Sequence, residues 1–348
     1  MTFPKHLLIS VAVSIVLCSS NWSAGQEQGG TISGQIVDSE SGDGVPYVNV
    51  FLSNTTLGAA SDQHGHFVIH HIPQGVYDLV FDCIGYKTQS MEVRMLQSQS
   101  LRYKIKLQPR IYNTENILVI AEKPEQWLHN LDIFIREFIG SGIHAAKCSI
   151  LNPEVLNLDQ DPDTGTMFAH TDSILRIRND ALGYQIDVRL VQFTFNFKNN
   201  ICRYEIYPRF FEQIPGSEAQ KNIWEDNRRQ SFTGSLKHFL YLFVRKRYFP
   251  LYKIYILIGN REKSRVSSDI LHMEHIPNSS LMRISFPDLL GFDYYSFGIP
   301  QLSSQLRLDR GYAYIDTLGN IYGPITKRGD WSKERVADLL PYDYKWER

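Results

Sequence analysis

Apolar and polar residues alternate with a period of two through much of the first third of the chain. The alternation covers residues 32–37, 45–52, 67–69, 77–81 and 101–107, and turn-forming residues separate these segments at 41–44, 62–65, 73–75 and 84–85. Such alternation buries one face of a strand and leaves the other face in solvent. Short strands at this spacing predict an all-β sandwich over residues 31–109.

Beyond residue 124 the pattern mixes two periods. Apolar residues recur at helical spacing over 124–140 and 232–248, and a short helix is expected at 330–340. Alternation predicts strands at 174–178, 184–190, 203–207 and 252–258, and a hairpin at 312–322. Phe193 and Phe195 continue the second of these strands with the opposite parity, which predicts a bulge near Val191. Residues 125–348 are therefore expected to form an α+β domain with mainly antiparallel strands, preceded by a linker strand at 110–124.

Five ordered motifs in the first segment resemble the carboxypeptidase-regulatory-like domain, a transthyretin-like (Ig-like) sandwich. They are Gly34-Gln-Ile-Val-Asp, Gly44-Val-Pro-Tyr-Val-Asn-Val, Ser61-Asp-Gln-His-Gly-His-Phe, Ile72-Pro-Gln-Gly-Val-Tyr and Ile84-Gly-Tyr. Structural roles in turns and core are expected for Asp62, Gly65, Phe67, Gly75, Tyr77, Gly85 and Tyr86. The resemblance implies a non-catalytic module, of a kind often found in Gram-negative envelopes.

Residues 125–345 also resemble a domain that often follows this module. Asn179-Asp-Ala-Leu-Gly-Tyr184 and Gly311-Tyr-Ala-Tyr-Ile-Asp-Thr-Leu-Gly319 are among the matching segments. Proteins of that kind have no assigned function, so this second resemblance supplies no catalytic residues.

The N-terminus has the pattern of a secretory signal peptide. Lys5 and His6 precede an apolar run at 7–17, and the small residues Ser23 and Gly25 would place cleavage before Gln26. The run is too short to span a bilayer. We therefore expect residues 1–25 to be removed and the chain to be exported to the periplasm or the outer membrane. The alternatives are an uncleaved anchor and lipidation at Cys18, although Leu17 is larger than the residue that usually precedes a lipidated cysteine.

The charge balance argues against a nucleic-acid-binding protein, and the cysteine and histidine residues do not predict a metal site. The 348 residues include 36 basic and 37 acidic ones, a balance unlike that of a globally basic nucleic-acid-binding protein. Cys83, Cys148 and Cys202 follow the leader, which leaves open one disulfide or none. His64, His66, His70 and His71 lie close together in sequence, but we interpret them as exposed turn and strand-edge residues rather than metal ligands. No metal or other cofactor is expected.

Motifs of several enzyme classes are missing from the sequence. No histidine is followed three residues later by glutamate, and neither a Gly-x-Ser-x-Gly elbow nor a phosphate-binding loop occurs. Ser235 and His238 lie three residues apart without a visible orienting group or oxyanion hole. The acidic stretch 159–165 departs from the EF-hand pattern and is interpreted as a hairpin loop. The sequence therefore favours a protein that is not an enzyme.

The strongest charge asymmetry lies at 221–265, where eleven basic and three acidic residues are interleaved with aromatic residues. The candidate binding residues there are Lys237, Arg245, Lys246, Arg247, Tyr248 and Lys253. Such a surface could contact anionic lipid headgroups, acidic glycans or an acidic partner. The alternative is a core helix whose long cationic side chains lie over apolar surface.

Three functional hypotheses follow. The first is a non-catalytic binding or scaffold module of the cell envelope, in which the sandwich binds a protein or a glycan. The second is an envelope hydrolase that acts on peptide or glycan through the second domain. The third is attachment to a membrane surface through 221–265.

Overall fold

The computed structural model describes residues 29–96, 99–110, 125–212, 216–258, 262–265 and 270–346. The predicted signal peptide and most of the predicted linker strand lie outside these residues. No helix within them is long and apolar enough to cross a membrane.

The first unit is a sandwich of seven strands. They are β1 (Gly30–Asp38), β2 (Asn49–Leu52), β3 (Gly58–Ala60), β4 (His66–Ile72), β5 (Gly75–Asp82), β6 (Gln89–Met95) and β7 (Ser100–Leu107). One sheet has the order β4-β1-β7 and the other β3-β2-β5-β6. The alternating apolar residues of both sheets, among them Ile36, Phe67 and Phe81, form one buried core. The predicted sandwich is confirmed.

The second unit is a helix packed on a six-stranded antiparallel sheet. It comprises α1 (Glu125–Phe138), β8 (Cys148–Ile150), β9 (Leu156–Asp161), β10 (Thr166–Thr171), β11 (Leu175–Asn179), β12 (Tyr184–Asn196) and β13 (Ile201–Glu212). Phe134 and Phe138 of α1 contact Phe193 of β12 through edge-to-face ring contacts. The pairing of β12 with β13 shifts register between Leu190 and Gln192, which confirms the predicted bulge.

The third unit packs two helices with two antiparallel sheets. The helices are α2 (Glu218–Phe232) and α3 (Leu236–Val244). The five-stranded sheet contains β14 (Tyr252–Ile258), β15 (Glu262–Arg265), β18 (Leu289–Ser296), β19 (Ile299–Leu308) and β22 (Ile325–Gly329). The four-stranded sheet contains β16 (His272–His275), β17 (Met282–Ser285), β20 (Tyr312–Ile315) and β21 (Ile321–Tyr322). Phe239, Phe292 and Trp331 are buried in the core of this third unit.

Residues 125–346 thus contain two hydrophobic cores within the predicted α+β region. Antiparallel pairing dominates there, which confirms the predicted fold class. Two helix predictions differ from the structure. The helix expected over 232–248 is only α3, because Gly234 adopts a left-handed φ of 83° and Ser235 caps the new helix. The terminal helix at 330–340 is two short 3-10 turns, Asp330–Lys333 and Val336–Asp338.

Candidate binding surfaces

Lys237 lies apart from the other five candidate binding residues. Its Nζ donates a hydrogen bond of 2.8 Å to the carbonyl of Pro341. Burial lowers the pKa of Lys237 to about 8, and the nearby carboxylates of Asp316 and Asp343 only partly oppose this shift. This side chain belongs to an internal polar network rather than to the exposed surface that the sequence suggested.

Asp316 is the centre of that network. Its carboxylate, which is buried, accepts hydrogen bonds from the Leu318 and Asn320 amides at 2.8 and 2.9 Å and from the Tyr322 hydroxyl at 2.7 Å. The Asn320 side-chain amide donates to the same carboxylate and to the carbonyl of Tyr342. The β20–β21 hairpin is therefore tied to the C-terminal segment 341–346.

The C-terminal segment in turn contacts the first sandwich. The Tyr342 amide donates to the carbonyl of Asn54 at 2.6 Å. Asp343 accepts hydrogen bonds from both the amide and the hydroxyl of Thr56. On the other side of the same loop, the Asn54 amide donates to the carbonyl of Pro208 in β13 at 2.7 Å. Backbone contacts from both later units thus hold the loop between β2 and β3.

A groove of about 640 Å³ opens beside this junction and is lined by residues from all three units. The Arg228 guanidinium lies 4.1 Å from the centre of the Tyr184 ring, and the Tyr344 hydroxyl donates to Glu225 at 2.9 Å. Asp343 accepts hydrogen bonds from Thr56. The two carboxylates of the groove are therefore engaged by neighbouring protein groups, as is the guanidinium of Arg228.

The remaining sequence-predicted binding residues gather at the end of α3 and the start of β14. Arg245 donates to the carbonyls of Tyr241 and Thr317 and lies over the Tyr241 ring. Lys246 and Arg247 are exposed. Tyr248 is half-buried and its ring contacts Phe239 and Phe243, while the Lys253 ammonium lies 4.2 Å from the centre of the Tyr295 ring. The structure therefore brings five of the six together.

The sequence reasoning missed a second cationic surface, on the outer face of the three-stranded sheet of the sandwich. Arg102, Lys104 and Lys106 all point outward from β7 and are exposed. In the sheet register Arg102 lies beside Ser33 and Lys104 beside Gln35, and β4 adds exposed His66 and His70. The alternation of β7 contained the signal, since the exposed positions that follow Ser100 are all basic.

The turn and core residues expected from the first resemblance hold the sandwich together. Asp62 accepts hydrogen bonds from the His64 and His66 amides, both at 2.8 Å. Gly65 adopts a left-handed φ of 78°. Phe67 and Tyr77 are buried, and the Tyr77 hydroxyl donates to the carbonyl of Pro73.

The other three of these residues lie in or beside turns. Gly85 has a φ of 86°, while the φ of Gly75 lies outside the left-handed region. A side chain at residue 75 would instead meet the Tyr77 ring at 2.8 Å. Tyr86 is half-buried and its hydroxyl donates to Asp38 at 2.9 Å.

Cysteine, histidine and carboxylate groups show no constellation for metal binding within the residues that the structure describes. Cys83, Cys148 and Cys202 are free thiols, and burial raises the pKa of Cys148 to about 12 and that of Cys202 to about 11.

Ser235 caps α3 by accepting a hydrogen bond from the His238 amide. The acidic stretch forms the β9–β10 hairpin loop, where Asp161 accepts from the Asp163 amide and the Thr164 hydroxyl.

Comparison with solved structures finds short, distant matches. A cohesin–X-dockerin complex from Acetivibrio cellulolyticus is 22% identical, with 23% of this chain and 58% of that chain covered and a TM-score of 0.20. The minor pilin GBS52 of Streptococcus agalactiae is 16% identical, with 24% of this chain and 46% of that chain covered and a TM-score of 0.20. A DUF3823 family protein from Parabacteroides merdae is 12% identical, with 52% of this chain and 77% of that chain covered and a TM-score of 0.19. The chain spans about half the length of the first two.

No curated protein matches the chain. The model of one family, the CarboxypepD_reg-like domain, matches residues 32–119. These residues are the sandwich described above together with the segment that follows it. The resemblance of the first segment to the carboxypeptidase-regulatory-like domain is therefore confirmed.

Proposed function

We propose that the chain is a non-catalytic binding module of the cell envelope and that its first sandwich binds an acidic glycan. The observation that supports this most directly is the row of Arg102, Lys104 and Lys106 on β7. Alternate residues of a strand lie about 6.6 Å apart on one face. A row of cations at that spacing suits an extended polymer that carries repeated carboxylate or sulfate groups.

Neighbouring groups on the same face add hydrogen-bonding capacity. Ser33 and Gln35 supply a hydroxyl and a carboxamide beside the cations, and His66 and His70 extend the face across β4. The face is mostly polar, although Val68 of β4, which is 44% exposed, lies beside Ser33. A more modest role is also known for such residues, since lysines on an edge strand discourage unwanted strand pairing.

Charge substitution separates the two roles. The full chain is titrated with polygalacturonate, with neutral dextran as the control ligand, by isothermal calorimetry at two salt concentrations. We expect salt-sensitive binding to polygalacturonate and a loss of at least about tenfold in Arg102→Gln/Lys104→Gln/Lys106→Gln, because three charge-assisted contacts are removed. The matched control is Lys147→Gln/Arg310→Gln/Arg328→Gln, which neutralises three exposed cations elsewhere.

Two outcomes would contradict the glycan proposal. One is a wild-type chain that does not bind polygalacturonate. The other is equal binding by the two triple variants. If the β7 variant instead loses a cross-linked acidic protein in intact envelopes while polygalacturonate binding is absent, the partner is a protein.

The envelope location rests on the sequence pattern of residues 1–25. Cell fractionation of a C-terminally tagged chain tests it, together with the mass of the mature N-terminus. We expect the tag in the envelope fraction and a mature chain that begins at Gln26. A full-length chain in the cytoplasmic fraction would overturn the location.

The hydrolase alternative would need a nucleophile or an acid–base pair that faces open space. In the groove at the junction, Glu225 and Asp343 already accept hydrogen bonds from Tyr344 and Thr56. The groove geometry therefore favours binding over hydrolysis.

A further inference from the structure

Two loops lie side by side at one end of the five-stranded sheet. β14 begins at Tyr252, which pairs with Tyr294 near the end of β18. Immediately beyond this pair the Tyr295 amide donates to the carbonyl of Leu251 at 2.8 Å. The segment 249–251 before β14 and the turn 296–299 after β18 therefore lie at the same end of the sheet.

These two loops expose large apolar side chains. Phe297 is fully exposed, Phe249 is 66% exposed and Ile299 is 61% exposed. Phe297 and Gly298 form the two-residue turn between β18 and β19, with φ values of 49° and 78°. Asparagine or glycine is the usual residue at such left-handed turn positions. Phe297 is disfavoured by this backbone conformation, and its ring is not buried within the chain. Its presence therefore points to a contact outside this chain.

The two segments that form these loops carry basic residues and no acidic residue. Residues 245–254 contain four basic and no acidic residues, and residues 294–301 contain no charged residue. Lys246 and Arg247 are exposed, and the Lys253 ammonium lies over the Tyr295 ring. Asp293 is the acidic residue paired with Lys253 across the strands, and it accepts hydrogen bonds from Ser303 and Tyr255.

We propose that this end of the molecule, defined by Phe249, Phe297, Ile299, Lys246, Arg247 and Lys253, docks on an anionic lipid bilayer. Aromatic side chains favour the interfacial zone of a bilayer, and adjacent lysine and arginine residues reach the phosphate groups. The exposed apolar side chains of the two loops, with cations beside them, support lipid over protein, because a fluid surface accepts single loops without a complementary pocket. A stable protein interface usually needs a patch of about 800 Å² on each partner.

The docking is expected to be weak and reversible. Two aromatic tips enter only the interfacial zone, and each cation near an anionic surface strengthens association by roughly fivefold. The proposal is independent of glycan binding by β7, because it rests on a different unit and different residues.

Co-sedimentation with vesicles tests the proposal on the full chain lacking residues 1–25, so that the leader cannot bind lipid. The probes are vesicles of equal parts phosphatidylglycerol and phosphatidylcholine, with pure phosphatidylcholine vesicles for comparison. We expect binding to the anionic vesicles that falls with added salt. Phe249→Ser/Phe297→Ser should lose at least about tenfold, and Lys246→Gln/Arg247→Gln should lose a comparable factor.

The control variant is Ile84→Ser/Ile143→Ser, which removes two exposed apolar side chains from other parts of the surface. Circular dichroism and the unfolding midpoint show whether each variant is folded. Equal binding by the control variant and the Phe249→Ser/Phe297→Ser variant would overturn the proposal. So would equal binding to neutral and anionic vesicles, or no vesicle binding by the folded wild-type chain.

Tryptophan substitution gives a second readout that does not depend on affinity. In Phe297→Trp, the emission of the added indole is taken as the difference from the wild-type chain, which has four tryptophans after residue 25. Anionic vesicles are expected to shift this difference emission to shorter wavelength and to protect it from aqueous quencher. The same substitution at exposed Ile84 should show neither effect. An unchanged spectrum at residue 297 with vesicles bound would place the contact elsewhere and overturn the proposal.

Discussion

Lys237 shows how burial changes the chemistry of a single residue. It lies in the basic segment of the sequence, yet its ammonium is enclosed by the C-terminal segment and donates to Pro341. Sequence pattern places Lys237 one residue after an apolar helix start but cannot show that residues 341–343, about a hundred positions away, cover it. Because the sequence shows only that Lys237 lies in the same basic segment as Arg245 and Lys246, the three residues were grouped together.

The lowered pKa of Lys237 predicts a specific dependence of stability on pH. The folded pKa is about 8, whereas the ordinary value is 10.5, so the unfolded state binds more protons between these values. Below pH 8 both states are protonated and the cost of the buried charge is fully present. Stability relative to a neutral variant should therefore rise as the pH increases through this window, by an amount on the order of 1–3 kcal/mol.

Urea denaturation of the wild-type chain and Lys237→Met measures this difference, since all other titrating groups are shared. The free energy of unfolding of the wild type should rise relative to that of the variant between pH 8 and pH 10.5. Parallel pH profiles would show that the ammonium is not desolvated. Lys246→Met, at an exposed lysine, is the matched control for the loss of one ammonium group.

Single elements differ in how much of their structure the sequence predicts. The bulge in β12 was predictable because alternation changes parity where the register shifts, beside exposed Val191. The helix α2 was not predicted, because its positions are mostly polar and only Trp224 and Phe232 are buried. Its docking depends on the Trp224 indole, which donates to the carbonyl of Asp180 at 3.0 Å. A helix held by so few buried residues lacks a periodic apolar pattern.

The turn that precedes β4 depends on Gly65. This residue has a φ of 78°, and a Cβ there would lie 2.2 Å from the carbonyl oxygen of Ile36. Because both the backbone conformation and the space exclude a side chain, Gly65→Ala should destabilise the chain by more than about 2 kcal/mol. Gly85 has a similar φ, but a Cβ at that residue would meet no atom within 4 Å, so Gly85→Ala should cost only about 1 kcal/mol.

Thermal and urea unfolding of the two variants separate two effects. Gly65→Ala combines a steric clash with backbone strain, whereas Gly85→Ala introduces backbone strain alone. A large loss in Gly65→Ala with a small one in Gly85→Ala is expected. Equal losses would mean that the close approach of Gly65 to Ile36 relaxes easily. The comparison also tests the turn role that the sequence motif Asp62-Gln-His-Gly65 suggests.

Across the whole molecule, the sequence predicted units better than the contacts between them. The family motifs and the strand alternation were enough for the sandwich, since each strand carries its own pattern. The groove at the junction was not predictable, because Thr56 and Asp343 lie 287 positions apart in the chain. The cations at the end of α3 are close in sequence, so five of those six residues could be grouped without the structure.

The C-terminal segment is expected to couple the first sandwich to the third unit. Asp343 accepts two hydrogen bonds from Thr56, and the adjacent Tyr342 amide donates to Asn54. Removing the carboxylate leaves the Thr56 amide and hydroxyl without this acceptor, at a cost of roughly 2–3 kcal/mol. The backbone bond from Asn54 to Pro208 remains, so the loop between β2 and β3 should loosen locally rather than detach.

Hydrogen exchange of the full chain tests this coupling in Asp343→Ala, with Lys345→Ala as the control at a neighbouring exposed position. The amides of Thr56 and Tyr342 should exchange at least about tenfold faster in Asp343→Ala, because local opening no longer breaks the bonds to the carboxylate. The amides of the β1–β7 pairing should be unchanged, since they lie in the sandwich core. Unchanged exchange at Thr56 would mean that Asp343 does not hold the loop and that other contacts, among them the bond from Asn54 to Pro208, hold the sandwich against the rest of the molecule.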